Sequence, residues 1–248
     1  MKPLSLTPFR YWSVLLALIL SNWIMAQEPV TPEPANATKT PPSPLEQFAV
    51  RNEKLAVATR RALKDLRGKA LQIFKEGQSR WEEWRLAIFS DPDGRLLRAQ
   101  ELVESRLVRS TDEVKLRTSW IHGLMDFRHD KDLTGFWSDG VGGRLSIVDQ
   151  GTQLHFLFSC VRGATGHQGS IKGIAFRSGN SALLTLSEYG GEPTQLRFDM
   201  EKPWVLVTGK NTEPYHGTLA SFDGNYAKIA PLSAKERTVV IKGAQPAR

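Results

Sequence analysis

The chain has 248 residues, 40% hydrophobic and 24% charged. These values exclude a mostly disordered chain and a multi-span membrane protein, and the length accommodates one large domain or two small ones. Lys and Arg outnumber Asp and Glu by 33 to 26, a net charge of +7, and the single cysteine, Cys160, excludes an intrachain disulfide framework and any multi-cysteine zinc or iron–sulfur site.

Lys2 and Arg10 precede or open an apolar run, Tyr11 to Leu20, and Ser21 to Ala26 follows with a small residue at its end. This order predicts a secretory signal peptide over 1–26, cut after Ala26. The competing reading is an uncleaved anchor, for which 16 residues interrupted by Ser21 and Asn22 are short. No cysteine follows the run, so the lipoprotein route is closed. Residues 27–44 carry six prolines and almost no large apolar side chain, which predicts a semi-rigid linker.

From Leu45 to Met125 the apolar spacing is helical. Leu45, Phe48, Leu55, Ala62, Leu63 and Leu66 form one stripe, and Leu71, Phe74, Gln78, Trp81, Trp84, Arg85 and Ile88 continue the period, with Gly68 at the join. Asp91-Pro92-Asp93-Gly94 predicts a turn, although its offsets to Glu101 do not fit an EF-hand loop. A third helix is expected from about Arg95 through Val108. Ser110 and Glu113 have capping-box spacing for a fourth helix or a continuation, with Leu116, Trp120, Ile121 and Leu124 as its stripe. Basic and acidic residues interleave along these helices, so no nucleic-acid partner is expected.

After a charged joint, Phe127 to Asp132, the period changes to alternation. Eight short strands are predicted: 133–137, 144–148, 153–161, 170–177, 182–187, 194–200, 204–208 and 226–229. Glycine-rich or Asp-Gly turns separate them, as at Gly142-Gly143, Ser178-Gly179-Asn180 and Asp223-Gly224. Eight strands without intervening helices predict an antiparallel barrel or sandwich, and a closed barrel leaves no exposed edge. The tail from Ser233 is polar and is expected to be loose. The fold class expected is thus α+β: an amino-terminal helical bundle or hairpin over 45–126, a separate small antiparallel barrel over 132–232, and a flexible tail over 233–248.

The chain has no GxSxG, P-loop, HExxH, or GxGxxG leading into a helix. His122 and His129 lack a third metal ligand, so no metal site or cofactor is expected. His155 occupies an alternating polar position in its strand, and Cys160 ends an apolar strand and reads as buried and inert. Two loop stretches stand out. Arg162, Thr165 and His167 lie between two strands among three glycines, and Tyr215-His216-Gly217 leads into Phe222 to Tyr226. Polar groups and aromatics on loops at a barrel mouth fit a ligand or partner site, whereas the glycines alone fit ordinary turns. A catalytic His167–His216 pair is a further hypothesis.

In the helical part, Leu71, then Gln78 to Arg85, then Ser110-Thr111 and Arg117, resemble the amino-terminal domain of LprI-type lysozyme inhibitor proteins. The matching positions are Gln78, Trp81, Trp84, Arg85, Thr111 and Arg117. The resemblance covers about a third of the chain. The cysteine pair that many family members carry does not exist here, which excludes a disulfide-fixed version. The resemblance implies a secreted or periplasmic, non-enzymatic protein whose partner is a lysozyme or another cell-envelope protein, with no membrane contact after signal cleavage. The motif residues themselves read as helix-to-helix contacts. An alternative function is a barrel that binds a small apolar or envelope ligand, with the helices as a docking element. An enzyme acting on cell-wall material would need paired carboxylates in a cleft, which adjacent Glu82 and Glu83 do not provide.

Overall fold

Helix α1, Pro44–Asp65, starts on a capping box: the Ser43 hydroxyl accepts from the Glu46 N–H, and the Glu46 carboxylate accepts from the Ser43 N–H. A computed structural model describes residues 41–89, 104–127, 129–162, 166–187, 191–201 and 204–245. The predicted signal peptide, nearly all of the predicted linker, and the turn at Asp91 to Gly94 lie outside the described residues, as does the start of the third predicted helix. Gly68, at φ +54°, breaks the stripe as a left-handed joint, and helix α2 runs Gly68–Phe89. Phe48, Leu55, Ala58 and Ala62 form the buried stripe of α1, while Leu63 is 52% exposed.

Helix α3, Glu104–Asp126, is continuous through Ser110 and Glu113. Of the two readings there, continuation holds and a fresh start does not. Both residues are buried in mid-helix, where the backbone N–H groups already have helical partners.

Strands β1 (Gly135–Ser138), β2 (Gly143–Asp149), β3 (Gln153–Arg162) and β4 (His167–Ser178) are followed by β5 (Ser181–Leu186), β6 (Thr194–Met200), β7 (Trp204–Lys210) and β8 (Gly224–Ala230). Each pairs antiparallel with the next, and β8 pairs with β1 to close an up-and-down barrel. The predicted α+β class, helices first and eight-stranded barrel after, is the observed one. The interior is filled by side chains. Phe156 packs on Phe198 at 4.9 Å, and Phe158 packs on Phe222 and Tyr226 at 4.9 and 5.1 Å, among Leu145, Leu196 and Val205. Cys160 joins this core, and burial pushes its thiol up, away from the thiolate form.

The expected loose tail is instead helix α4, Ala234–Ala244, opened by a second capping box between Ser233 and Glu236. It packs on β2, β3 and β4, and Val240 joins Val148 and Leu232 in a small apolar cluster on the outer barrel face. The alternating polar position expected for His155 lies on the face that this helix covers. His155 pairs with Val148 across the β2–β3 ladder and is only 7% exposed, because α4 takes that face from water.

The described residues from Pro42 onward form one compact unit. Helix residues such as Phe74, Trp120 and Ile121 share a hydrophobic cluster with Val141, Trp204 and Ala227 of the barrel region. At Gly123, α3 lies backbone to backbone on β8, since a Cβ there would overlap the Lys228 carbonyl oxygen. The joint is closed by Lys228 itself. Buried at 3% exposure, it donates to Asp130 Oδ2 at 2.6 Å and to the Asp132 carbonyl at 2.9 Å. Among the described residues no helix is long and apolar enough to cross a membrane.

Candidate functional site

Three groups of polar side chains organise the structure near the helix–barrel junction and one barrel end. The first is built on Asp139, just beyond β1. Gly140 and Gly142, at φ +71° and +98°, turn the chain back so that the Val141 and Gly143 N–H groups donate to Asp139 Oδ1 at 3.0 and 2.7 Å. Its other oxygen pairs with Arg162 Nη1 at 2.6 Å and faces Arg80 of α2 at 3.6 Å. Arg162 also donates to the carbonyls of Val141 and Ser221 and to the Tyr226 hydroxyl, which in turn donates to the Phe222 carbonyl. Burial alone would raise the Asp139 carboxyl, but Arg162, Arg80 and the two N–H donors together hold it below the usual carboxylate range. Arg162, a candidate partner contact in the sequence, therefore has its donors directed inward, and its side chain is only 12% exposed.

The second group contains the residues of the family resemblance. The Arg117 side chain is fully buried, with its guanidinium 4.0 Å from the Trp120 ring centroid and 5.9 Å from that of Trp81. Arg117 Nη2 donates to Gln78 Oε1 at 3.0 Å, and Trp81 stacks on Trp84 at 4.7 Å. Burial lowers the Arg117 pKa to about 9, against the opposing field of Asp139. Thr111 donates to the Leu107 carbonyl within α3, and Arg85 faces Glu82 at 3.6 Å on the helix surface. The motif thus ties α2 to α3, and Asp139 extends the tie to the barrel through Arg80.

The third group lies at one barrel end. His167 is opposite Arg162 in the β3–β4 register, the Gly217 N–H donates to the Gln168 carbonyl at 2.9 Å, and Gly169 bridges to His216. Arg162, His167, Tyr215 and His216 are therefore brought to one region, while Thr165 lies outside the described residues. The His216 ring is engaged at both nitrogens. The Gly217 carbonyl can only accept, so Nδ1 donates to it at 3.0 Å, and Nε2 in the neutral ring accepts from the Thr212 hydroxyl at 3.0 Å. Its ring edge meets Phe222 at 5.5 Å. This anchoring disfavours His216 as a free proton carrier beside His167.

Between Thr212 and Asp223 the chain forms a short 3-10 turn, Glu213–Tyr215, then a projecting segment. Its base is fixed on both sides. Thr194 donates to the Asn211 carbonyl at 2.6 Å, the Gly209 N–H donates to Asp223 Oδ1 at 2.6 Å, and Ala220 and Phe222 are buried in or against the barrel core. Between these anchors Leu219 is 69% exposed, with Glu213 and Pro214 also exposed and Tyr215 half-buried against the core.

Sequence reasoning singled out Arg162 and the helical motif but missed Asp139, which joins them. Its signal was Ser138-Asp139-Gly140-Val141-Gly142-Gly143, an acid followed by glycines that free several N–H groups to converge on it. Leu219 carried no such signal. No family model matches the chain, and no curated protein or solved structure matches it either.

Proposed function

We propose that the protein is a secreted or periplasmic binding protein without catalytic activity of its own, resembling LprI-type lysozyme inhibitors, and that it acts by presenting a fixed loop to a lysozyme or another cell-envelope protein. The observation that supports this reading is Leu219, a large apolar side chain 69% exposed on a segment whose ends are anchored by Thr194, Asp223 and the His216–Gly217 turn. A pre-ordered loop loses little conformational freedom on binding, and an apolar side chain at its tip is suited to filling a cleft. Net charge works against a basic partner, since this chain is +7, but Glu213, exposed on the same segment, supplies a local acid. The Phe-packed lumen favours this reading over a ligand carried inside the barrel.

The test is inhibition of a basic animal-type and a goose-type lysozyme by the chain lacking residues 1–26, in low and physiological salt. Dose-dependent inhibition is expected, and Leu219→Asp should weaken it at least about tenfold, or about 1.4 kcal/mol, with an unchanged melting temperature. No inhibition of either enzyme at high micromolar protein overturns the reading. Clearing of cell walls by the protein alone would make it an enzyme instead.

A further inference from the structure

A recess separate from the Leu219 loop lies between α3 and β2. It is an open groove of about 620 Å³ lined by Glu104, Val108, Arg109, Asp112, Glu113 and Arg144, within the range of small-ligand sites. Its most buried charged side chain is Glu113, at 6% exposure. Among the described residues Glu113 has a long 3.5 Å contact from Arg144 Nη2 to its Oε1, whereas Asp139 accepts two N–H groups at Oδ1 and lies 2.6 Å from Arg162 Nη1 at Oδ2. Among the described residues the Glu113 Oε2 has no hydrogen-bond partner, and neither does the buried Nη2 of Arg109. Burial pushes the Glu113 carboxyl up even though Arg144 and Arg109 oppose the shift.

The two unfilled groups are complementary. Arg109 and Glu113 are four residues apart on α3, hence on one face and about 5–6 Å apart at their Cβ atoms. One lacks an acceptor and the other lacks a donor. A ligand that satisfies both carries a cationic nitrogen next to an oxygen acceptor, and an α-ammonium beside its own carbonyl or carboxylate does so within one residue. Glu104 and Asp112 add negative field for the ammonium, and Val108, half exposed, offers apolar surface to a small side chain. Arg144, with its side chain 44% exposed, is free to move aside at the rim.

We propose that this groove binds the amino-terminal end of a short peptide or a free amino acid, with its ammonium on Glu113 and the adjoining oxygen on Arg109. The inference does not rest on the inhibitor reading, and its test uses no lysozyme. Isothermal titration of the full chain with alanine, dialanine and N-acetyl-dialanine is the experiment. Dialanine is expected to bind at millimolar or lower concentration, and blocking its ammonium by acetylation should weaken binding at least about tenfold. Glu113→Gln should produce the same loss for dialanine without lowering the melting temperature, because it removes a poorly partnered buried charge. Comparison of alanine with dialanine separates a free amino acid from a peptide end. The proposal is overturned if dialanine does not bind at about 10 mM, if the acetylated form binds equally well, or if a folded Glu113→Gln protein binds as the wild type does. Should that variant not fold, the acetylation arm on the wild-type protein still decides.

Discussion

Replacing Asp139 by alanine is expected to destabilise the protein by about 3–5 kcal/mol, the usual cost of removing one partner from a buried ion pair. Arg162 would keep its bonds to the Val141 and Ser221 carbonyls but lose its counter-charge at 2.6 Å. The turn would also loosen, since the Val141 and Gly143 N–H groups would lose their acceptor. Urea unfolding at neutral pH measures this, and a loss below about 1 kcal/mol would refute the ion-pair account. Combining Asp139→Ala with Arg162→Met should recover part of the loss, because the stranded charge goes as well. The pH dependence has a definite sign. The Asp139 carboxyl is held below its unfolded value, so its contribution is present above about pH 4 and is lost as pH falls through the lower folded value. The alanine variant should therefore lose less stability than the wild type on acidification.

Gly123→Ala is expected to cost about 3 kcal/mol, the upper end of overpacking effects. The added methyl would meet the carbonyl oxygen of Lys228, and neither side can yield easily, since one is helix backbone and the other is the β8 ladder. Relief requires α3 to move off the barrel, which also loosens Trp120 and Ile121 from Ala227. Lys115→Ala, at an exposed position of the same helix, is the control and should stay within about 0.5 kcal/mol. Thermal or urea unfolding of the two variants side by side settles the matter, and equal stabilities would show that the helix–barrel contact at Gly123 is slack.

Much of the fold was legible because burial in it is periodic. Leu154, Phe156, Phe158 and Cys160 alternate along β3 and all enter the core, so alternation alone placed that strand to within a residue. The stripe of Leu116, Trp120, Ile121 and Leu124 likewise marked the buried face of α3. The final helix escaped because Val239, Val240 and Ile241 are consecutive and β-branched, a run without helical period, and only Val240 and Ala244 of that helix are buried. Its capping-box spacing, Ser233 to Glu236, was the readable sign. At Ser110 and Glu113 the same spacing left a fresh start and a continuation open, and the helix runs through both residues.

The candidate sites were less legible than the fold, because they depend on partners far apart in the chain. Arg162 reads as a loop cation until Asp139 is placed 2.6 Å away. Glu113 becomes distinctive only when β2 brings Arg144 to it and water is excluded. Exposure of Leu219 is likewise a property of how the chain is pinned at Thr194 and Asp223, not of the residues around it.

The seam between helices and barrel also fixes an order of events during folding. The helices come first in the chain, yet the surface that covers Phe74 and Trp120 includes Trp204 and Ala227, contributed near the end. The tie between Lys228 and Asp130 closes a loop of 98 residues. Contacts of such long sequence separation slow the approach to the native state, because chain entropy is lost before they form. Strand β8 both closes the barrel on β1 and supplies Ala227 and Lys228 to the helical side. Until it is in place, the helices and the open sheet each expose apolar surface. Burial of both halves is thus complete only when this last strand is in place.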